Sequence, residues 1–387
     1  MGTLVLRNAS IVTSSTVIEN SYIVIKDGLI QELGREPYTG PISDAENLSG
    51  YIVIPGFIDT HVHGVEGLDI TAKPDPWTFL KMSEKLAKYG VTGYLPTAVT
   101  APDEILVEVC KAFKEAVEMW LPAQGARLFG LHLEGPYISV DARGAQDPEY
   151  IRKPNIKELS QYIRVSGNGI RQITVAPEIE GALDLIRYAR ANGITVSAGH
   201  TNASYQQGVD AIKAGVSKAT HLFNGMRRVH HRDPGIAIAL MESPQVYLEL
   251  IVDLVHLHPA IVRMVINYAG PDRVVLVTDS IAATGMPDGI YELGKLRIEV
   301  RQGIARLEGK DTLAGSTLTM DRAFRNVIDL GYSASQASKM ASLTPAKSIG
   351  LDYVGDIEPG YKADIVVLDR EYKVIKTYIN GIEVYSR

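Results

Sequence analysis

Two histidines separated by one residue close the run Pro55-Gly56-Phe57-Ile58-Asp59-Thr60-His61-Val62-His63-Gly64. Alternate side chains of a strand share a face, so His61 and His63 point the same way. Two imidazoles on one face at a strand end can grip a divalent cation, and zinc or ferrous iron suits imidazole nitrogen. Taken alone, each ring is equally a hydrogen-bonded residue at a loop edge. The rest of the chain strengthens the metal reading. Glu134 ends the stretch Arg127–Glu134, His200 ends Ile194–His200, His221 ends Ser217–His221 and Asp279 ends Val274–Asp279. Imidazoles and carboxylates are the ligands of a hydrolytic metal, which makes water acidic enough to attack at neutral pH. An aspartate beside that water can take its proton and later deliver it to a leaving group. Glu134 has two carboxylate oxygens and could bridge two ions, one held by His61 and His63, the other by His200 and His221. His132 shares a face with Glu134 and reads as support behind the ligands, or as packing.

Other segments carry polar chemistry with two readings each. The loop Asn224-Gly225-Met226-Arg227-Arg228-Val229-His230-His231-Arg232-Asp233-Pro234-Gly235 holds the donors a phosphate needs, and is as readily a solvated basic loop. His256 follows a strand and could touch a substrate, whereas His258, just before a proline, reads as a helix start. Thr312-Leu313-Ala314-Gly315-Ser316-Thr317 is a small-residue loop that lets a ligand approach the backbone, or simply a turn.

These residues need a frame. Eight strand candidates run through the middle of the chain: Gly56–His63, Val91–Thr97, Arg127–Glu134, Ile170–Ala176, Ile194–His200, Ser217–His221, Val246–Val252 and Val274–Asp279. Amphipathic helical stretches intervene, among them Pro76–Tyr89, Asp103–Trp120, Ala182–Asn192 and Pro259–Ala269. This alternation predicts a (β/α)8 TIM barrel, whose active sites lie at the C-terminal strand ends. A doubly wound sheet is the alternative, but no Gly-x-Gly-x-x-Gly follows a first strand. Leu296–Leu307 reads as an inserted hairpin, and Met320–Leu330 and Ala334–Ala341 as closing helices. Both ends are β-rich: Thr3–Val12, Tyr22–Ile25, Leu29–Leu33 and Tyr51–Ile54 at one end, and Ala363–Leu368, Val374–Ile379 and Ile382–Tyr385 at the other. Neither end is long enough to hold a core, so they are expected to join as one small β-sandwich. The expected division is 1–54 plus 355–387 for that domain and 55–354 for the barrel.

The bulk composition bounds the function. The 387 residues are 45% hydrophobic and 22% charged, ordinary for a globular protein. A net charge of −6 argues against general nucleic-acid binding, but not against a small anionic substrate met by a local basic cluster. The single cysteine, Cys110, permits no intrachain disulfide, reads as a buried small hydrophobe and fits a reducing cytoplasm. Met1-Gly2-Thr3-Leu4-Val5-Leu6-Arg7 has neither the pattern of a signal peptide nor that of a membrane span.

Nearly end to end, the chain resembles the amidohydrolase superfamily and, within it, the deacetylases of N-acetylated amino-sugar phosphates. The blocks that carry the resemblance are Pro55–Gly64, Gly130-Leu131-His132-Leu133-Glu134-Gly135-Pro136-Tyr137, Ala198-Gly199-His200-Thr201, Thr220-His221-Leu222-Phe223-Asn224-Gly225-Met226, Thr278-Asp279-Ser280 and Leu313-Ala314-Gly315-Ser316. In most related hydrolases a carbamylated lysine bridges two metals; in these deacetylases a glutamate on strand three stands there, and Glu134 matches it. The resemblance implies hydrolysis of the acetamido group of N-acetyl-D-glucosamine 6-phosphate to D-glucosamine 6-phosphate and acetate, in amino-sugar catabolism and cell-wall amino-sugar recycling. It implies one or two zinc, iron or manganese ions, with His61, His63, Glu134, His200, His221 and Asp279 as ligands and Asp279 as the base and then the acid. It implies a homodimer in which Arg232 binds the phosphate in the neighbouring subunit, with Gln146, Asn224, Gly225, His256 and Ala314 also at the substrate. One-metal members lack the first histidine pair and carry a carbonyl-polarising histidine where this chain has Gln146. Retention of His61 and His63 therefore allows a two-metal site. Deacetylation of the galactosamine epimer and hydrolysis of a cyclic amide are the alternatives. A non-catalytic barrel is a third, but it would be expected to lose ligands, and the set here is complete.

Overall fold

The computed structural model describes residues 3–40 and 44–387. Met1 and Gly2 of the amino-terminal reading lie outside them. Alternating apolar strands and amphipathic helices build a closed parallel barrel. Its strands are, in order, Phe57–Val62, Val91–Ala98, the interrupted pair Arg127–Leu128 and Leu131–Glu134, Ile170–Val175, Thr195–Ala198, Val216–Ala219, Tyr247–Ile251 and Val274–Val277. Each pairs in parallel with the next. The barrel closes where Val62 meets Ser280. There the Asp279 N–H donates to the His61 carbonyl at 3.0 Å, and the His63 N–H donates to the Ser280 carbonyl at 2.9 Å. Closure by this seam removes the sheet edges and brings the ends of the first and last strands together.

Most of the observed strands are shorter than the apolar runs suggested. The fifth, sixth and eighth stop at Ala198, Ala219 and Val277, each two residues before its candidate ligand. The third breaks at Phe129-Gly130. Gly130 sits at φ +152°, and a Cβ there would lie 2.3 Å from the Cβ of Arg171, so the approach of the fourth strand requires glycine.

Helices cover the outside of the barrel. Their inner faces and the outward faces of the strands form one large apolar core that includes Phe57, Phe79, Leu133, Leu185, Val262 and Phe324. Local signals set the helix starts. Asp75, Asn155 and Ser204 accept backbone N–H groups at the starts of Pro76–Ala87, Ile156–Val165 and Tyr205–Ala214. Cys110 lies in the core, and burial pushes its thiol well above its ordinary range.

The terminal strands join as expected. Ile382–Ser386, Val374–Ile379, Ile365–Leu368, Ile52–Pro55, Thr3–Val12, Val17–Lys26 and Leu29–Arg35 form one sheet in that order, with Asp44–Asn47 on Thr3–Val12. It curls over a second cluster containing Leu6, Ile11, Ile23, Val53, Ile365 and Val367. Ile30 and Tyr361 bond through their backbones at 2.9 Å, drawing the Leu29–Arg35 edge back to the carboxy-terminal segment. The inserted hairpin Leu296–Arg301 and Ile304–Leu307 gains a third strand, Gly289–Leu293. Among the described residues no helix is long and apolar enough to cross a membrane.

Candidate metal centre

The barrel brings all six candidate ligands to one buried place. The ligand atoms of His61, His63 and Asp279 lie within 4.8 Å of one another, and so do those of Glu134, His200 and His221. Glu134 joins the two groups. Its Oε1 lies 2.9 Å from His221 Nε2, 3.1 Å from His200 Nε2 and 3.3 Å from His61 Nε2, while its Oε2 lies 3.3 Å from His63 Nε2. Asp279 Oδ1 lies 3.0 Å from His63 Nε2 and 3.4 Å from His61 Nε2.

Backbone geometry aims these side chains. His200, His221 and Asp279 adopt left-handed conformations, with φ of +45°, +27° and +52°. Such strain in non-glycine residues persists where the surroundings over-determine it, as at functional sites. Here the Asp279 carbonyl accepts from the Ser316 N–H at 2.7 Å, the His200 carbonyl accepts from the Ser139 N–H at 2.9 Å, and the His221 N–H donates to Glu249 Oε2 at 3.2 Å.

Every imidazole is oriented from behind. His63, His200 and His221 direct Nδ1 at the carbonyls of Thr97, Ala142 and Asn224, at 3.0, 3.0 and 3.1 Å. A carbonyl only accepts, so Nδ1 carries the hydrogen and Nε2 presents its lone pair inward. His61 directs Nδ1 at Glu249 Oε2, 3.3 Å away. Four lone pairs thus face two carboxylates, acceptor against acceptor, and only positive charge reconciles them. Without an ion, protons must serve. Burial opposes charge on the rings, yet Asp279 and Glu134 outweigh it; His61 is raised well above its ordinary range and His63 to about 9. Burial likewise opposes ionisation of Glu134 and Asp279, but the histidines hold both below the usual carboxylate range. This donor set fits a divalent cation in place of the protons.

His132 is fully buried and packs edge-on to His61, ring centres 4.8 Å apart. Its nitrogens meet the hydroxyls of Thr97 and Thr174 at 3.2 and 2.9 Å. Burial and the His61 charge keep this ring neutral. It supports the ligands from below.

The ligands open into a cavity of about 240 Å³ lined in part by Gln146, Asn224, Gly225, His256, Leu313 and Gly315. Gln146 donates to Glu134 Oε2 at 2.7 Å and accepts from the Thr100 N–H at 2.8 Å, so it braces the shared carboxylate. Its loop is fastened by Arg152, which reaches Glu158, the Tyr162 hydroxyl and the Ala101 carbonyl at 2.7, 2.8 and 3.0 Å. His256 pairs with Asp253 at 2.7 Å; burial opposes its charge, but Asp253 wins and its pKa is raised. Ala314 is buried behind the wall that Leu313 and Gly315 form. Arg232 is exposed, outside the cavity, and its Nη1 lies 2.7 Å from His231 Nε2. Next to the metal cavity, and sharing Gly144 and Gly225 with it, lies a depression bordered by Asn202, Arg227 and Arg228.

Two site residues escaped the sequence reading. Glu249 and Lys218 are fully buried charges inside short apolar strands. A lone acid in Tyr247–Ile251 and a lone lysine in Val216–Ala219 were the available signal, since buried charges need partners. Leu293 of the inserted sheet also closes the cavity, held by the Gly294 N–H, which donates to buried Asp69 at 3.1 Å.

The amidohydrolase family model matches residues 52–384. A protein of Escherichia coli O157:H7 named N-acetylgalactosamine-6-phosphate deacetylase is 38% identical, over 98% of each chain. The N-acetylglucosamine-6-phosphate deacetylase of Vibrio furnissii is also 38% identical, over 89% of this chain and 86% of its own. A mutant N-acetyl-D-glucosamine-6-phosphate deacetylase of Mycobacterium smegmatis, solved in complex with N-acetyl-D-glucosamine-6-phosphate, superposes with a TM-score of 0.94 at 34% identity, covering all of both chains. The Thermotoga maritima N-acetylglucosamine-6-phosphate deacetylase does so at 0.89 and 34%, over 99% of this chain and all of that one. The chain belongs to the amidohydrolase family, in the branch that holds these deacetylases, and it is a hydrolase.

Proposed function

We propose that the chain hydrolyses the acetamido group of N-acetyl-D-glucosamine 6-phosphate, giving D-glucosamine 6-phosphate and acetate, with His61, His63, Glu134, His200, His221 and Asp279 holding divalent metal. The observation that carries this reading is the convergence of four inward-facing Nε2 atoms on Glu134 and Asp279. A divalent cation held there supplies Lewis acidity toward the amide carbonyl and makes water nucleophilic at neutral pH. Asp279 stands at the mouth of the ligand set, takes a proton from the attacking water and returns it to the departing amine. Glu134, braced by Gln146, belongs to one ligand group and also reaches His61 and His63 of the other at 3.3 Å, which supports two ions rather than one. Zinc, iron and manganese all suit these donors. His256 faces the sugar, while Asn224 and the Gly225 amide meet the phosphate at the depression beside Arg228. Arg232 comes from the neighbouring subunit of a homodimer. The chain works in the cytoplasm, with residues 55–354 as the catalytic domain and 1–54 plus 355–387 as the supporting one.

A second reading differs only at the sugar C4 hydroxyl, and the Escherichia coli relative named for the galactosamine epimer favours it. Comparing acetate release from both epimeric phosphates and from unphosphorylated N-acetylglucosamine tests these assignments. The proposal expects the glucosamine phosphate to be turned over fastest and the unphosphorylated sugar to be nearly inert. Faster turnover of the galactosamine phosphate would transfer the assignment to that epimer; equal turnover without phosphate would sink both.

A further inference from the structure

The floor beneath the metal centre is occupied by an ion pair that the reaction does not use. Lys218 and Glu249 are both fully buried, and Lys218 Nζ lies 2.9 Å from Glu249 Oε1. Its other hydrogens reach Thr60 Oγ1 at 2.7 Å and Gln172 Oε1 at 3.0 Å. Gln172 Nε2 in turn donates to Glu249 Oε1 at 3.1 Å. The second oxygen of Glu249 faces upward, accepting from His61 Nδ1 at 3.3 Å and from the His221 N–H at 3.2 Å. Four barrel strands are tied together in this way, with every donor of the ammonium used. A buried pair of this kind adds little to stability, because desolvation offsets its attraction.

The four imidazoles of the centre differ in what stands behind them. Three give Nδ1–H to backbone carbonyls, which do not depend on the side chain of the accepting residue. His61 alone gives it to a carboxylate, and a carboxylate behind a ligating histidine fixes the ring and raises its basicity. We propose that Glu249, its charge balanced by Lys218, is the positioning residue that makes the His61, His63 and Asp279 group competent to retain its own ion. The position formed by Glu134, His200 and His221 depends on Glu249 less, through the His221 N–H alone, because its two rings are set by Ala142 and Asn224. This inference rests on the two-ion reading.

The test is calorimetric titration of the chelator-stripped full chain with zinc, with the bound zinc counted by elemental analysis. Two variants are compared with wild type. Glu249→Gln keeps an acceptor but removes the charge. Lys218→Met/Glu249→Leu replaces the whole pair by apolar side chains of similar size, which keeps the barrel folded without an unpaired buried charge. Wild type is expected to bind two ions per chain. In both variants one binding step weakens by about 10–100-fold and the other stays within about threefold. Two unchanged steps in the double variant would overturn the proposal. So would a parallel fall of both steps, since the floor would then support the barrel top in general. A wild-type chain that binds a single ion defeats the two-ion reading itself, and the inference with it.

Discussion

At His63 the same lone pair is claimed by protons and by metal. In the metal-free chain Asp279 and Glu134 overcome burial and push this ring from 6.5 up to about 9. The ring is therefore charged at pH 7, and an ion can bind only by expelling the proton. Metal uptake at pH 7 is predicted to release protons, and apparent affinity should rise with pH until about 9 is passed. Titrations in two buffers of different ionisation enthalpy read the number released; identical heats in both would contradict the prediction. The sign reverses for the stability of the metal-free fold. A raised histidine pKa stabilises fully below 6.5, and that contribution fades as pH rises through about 9. At this scale the ligand types and spacings were legible in the sequence, because His61, His63, Glu134, His200, His221 and Asp279 each close an apolar run. The brace of Gln146 on Glu134 was not, since it depends on where a loop of irregular backbone folds back. Nor was Glu249, whose partners His61 and Lys218 lie 188 and 31 positions away in the chain.

Among the elements, the strand ends decide the geometry. Apolar runs located all eight strands but carried the fifth, sixth and eighth two residues past their carboxy-terminal ends, because periodicity carries no mark of the residue at which a chain turns into a left-handed conformation. The break at Gly130 was hidden for a related reason: only the neighbouring Arg171 demands it. The loop after the sixth strand is stitched to the fifth by the Thr201 N–H, which donates to the Gly225 carbonyl at 2.9 Å. Gly225 sits at φ +58°, and a Cβ there would stand 2.9 Å from His200 Nδ1 and 3.2 Å from the Ala142 carbonyl that the ring addresses. Gly225→Ala should wedge apart that hydrogen bond. We expect kcat/KM to fall by about 10–100-fold, with a left-handed backbone cost of about 1 kcal/mol in stability. Steady-state kinetics and thermal melts check this; wild-type turnover in the variant would show that the His200 ring is held by other means.

Across the whole molecule, closure of the barrel at the His61–Asp279 seam is what joins the two ligand groups. The terminal sheet was legible in outline, since β-rich ends too short for separate cores must combine. Its curl back through Ile30 and Tyr361 was not. The exposed position of Arg232, outside the cavity of its own chain, bears on assembly. If it serves the neighbouring site, Arg232→Ala and Asp279→Asn are each inactive alone but complement when mixed. Half of the randomly exchanged dimers then carry one intact site, and activity returns to about a quarter of wild type. No recovery after verified exchange would place the phosphate contact within one chain.

The most direct measurement is acetate release from N-acetyl-D-glucosamine 6-phosphate by the chelator-stripped chain, before and after zinc or manganese is restored. The predicted result is no release from the stripped chain, recovery on reloading, and no recovery when Glu134→Gln or Asp279→Asn is reloaded in the same way. Full-rate release by the stripped chain, or none by the fully loaded wild type, would contradict it.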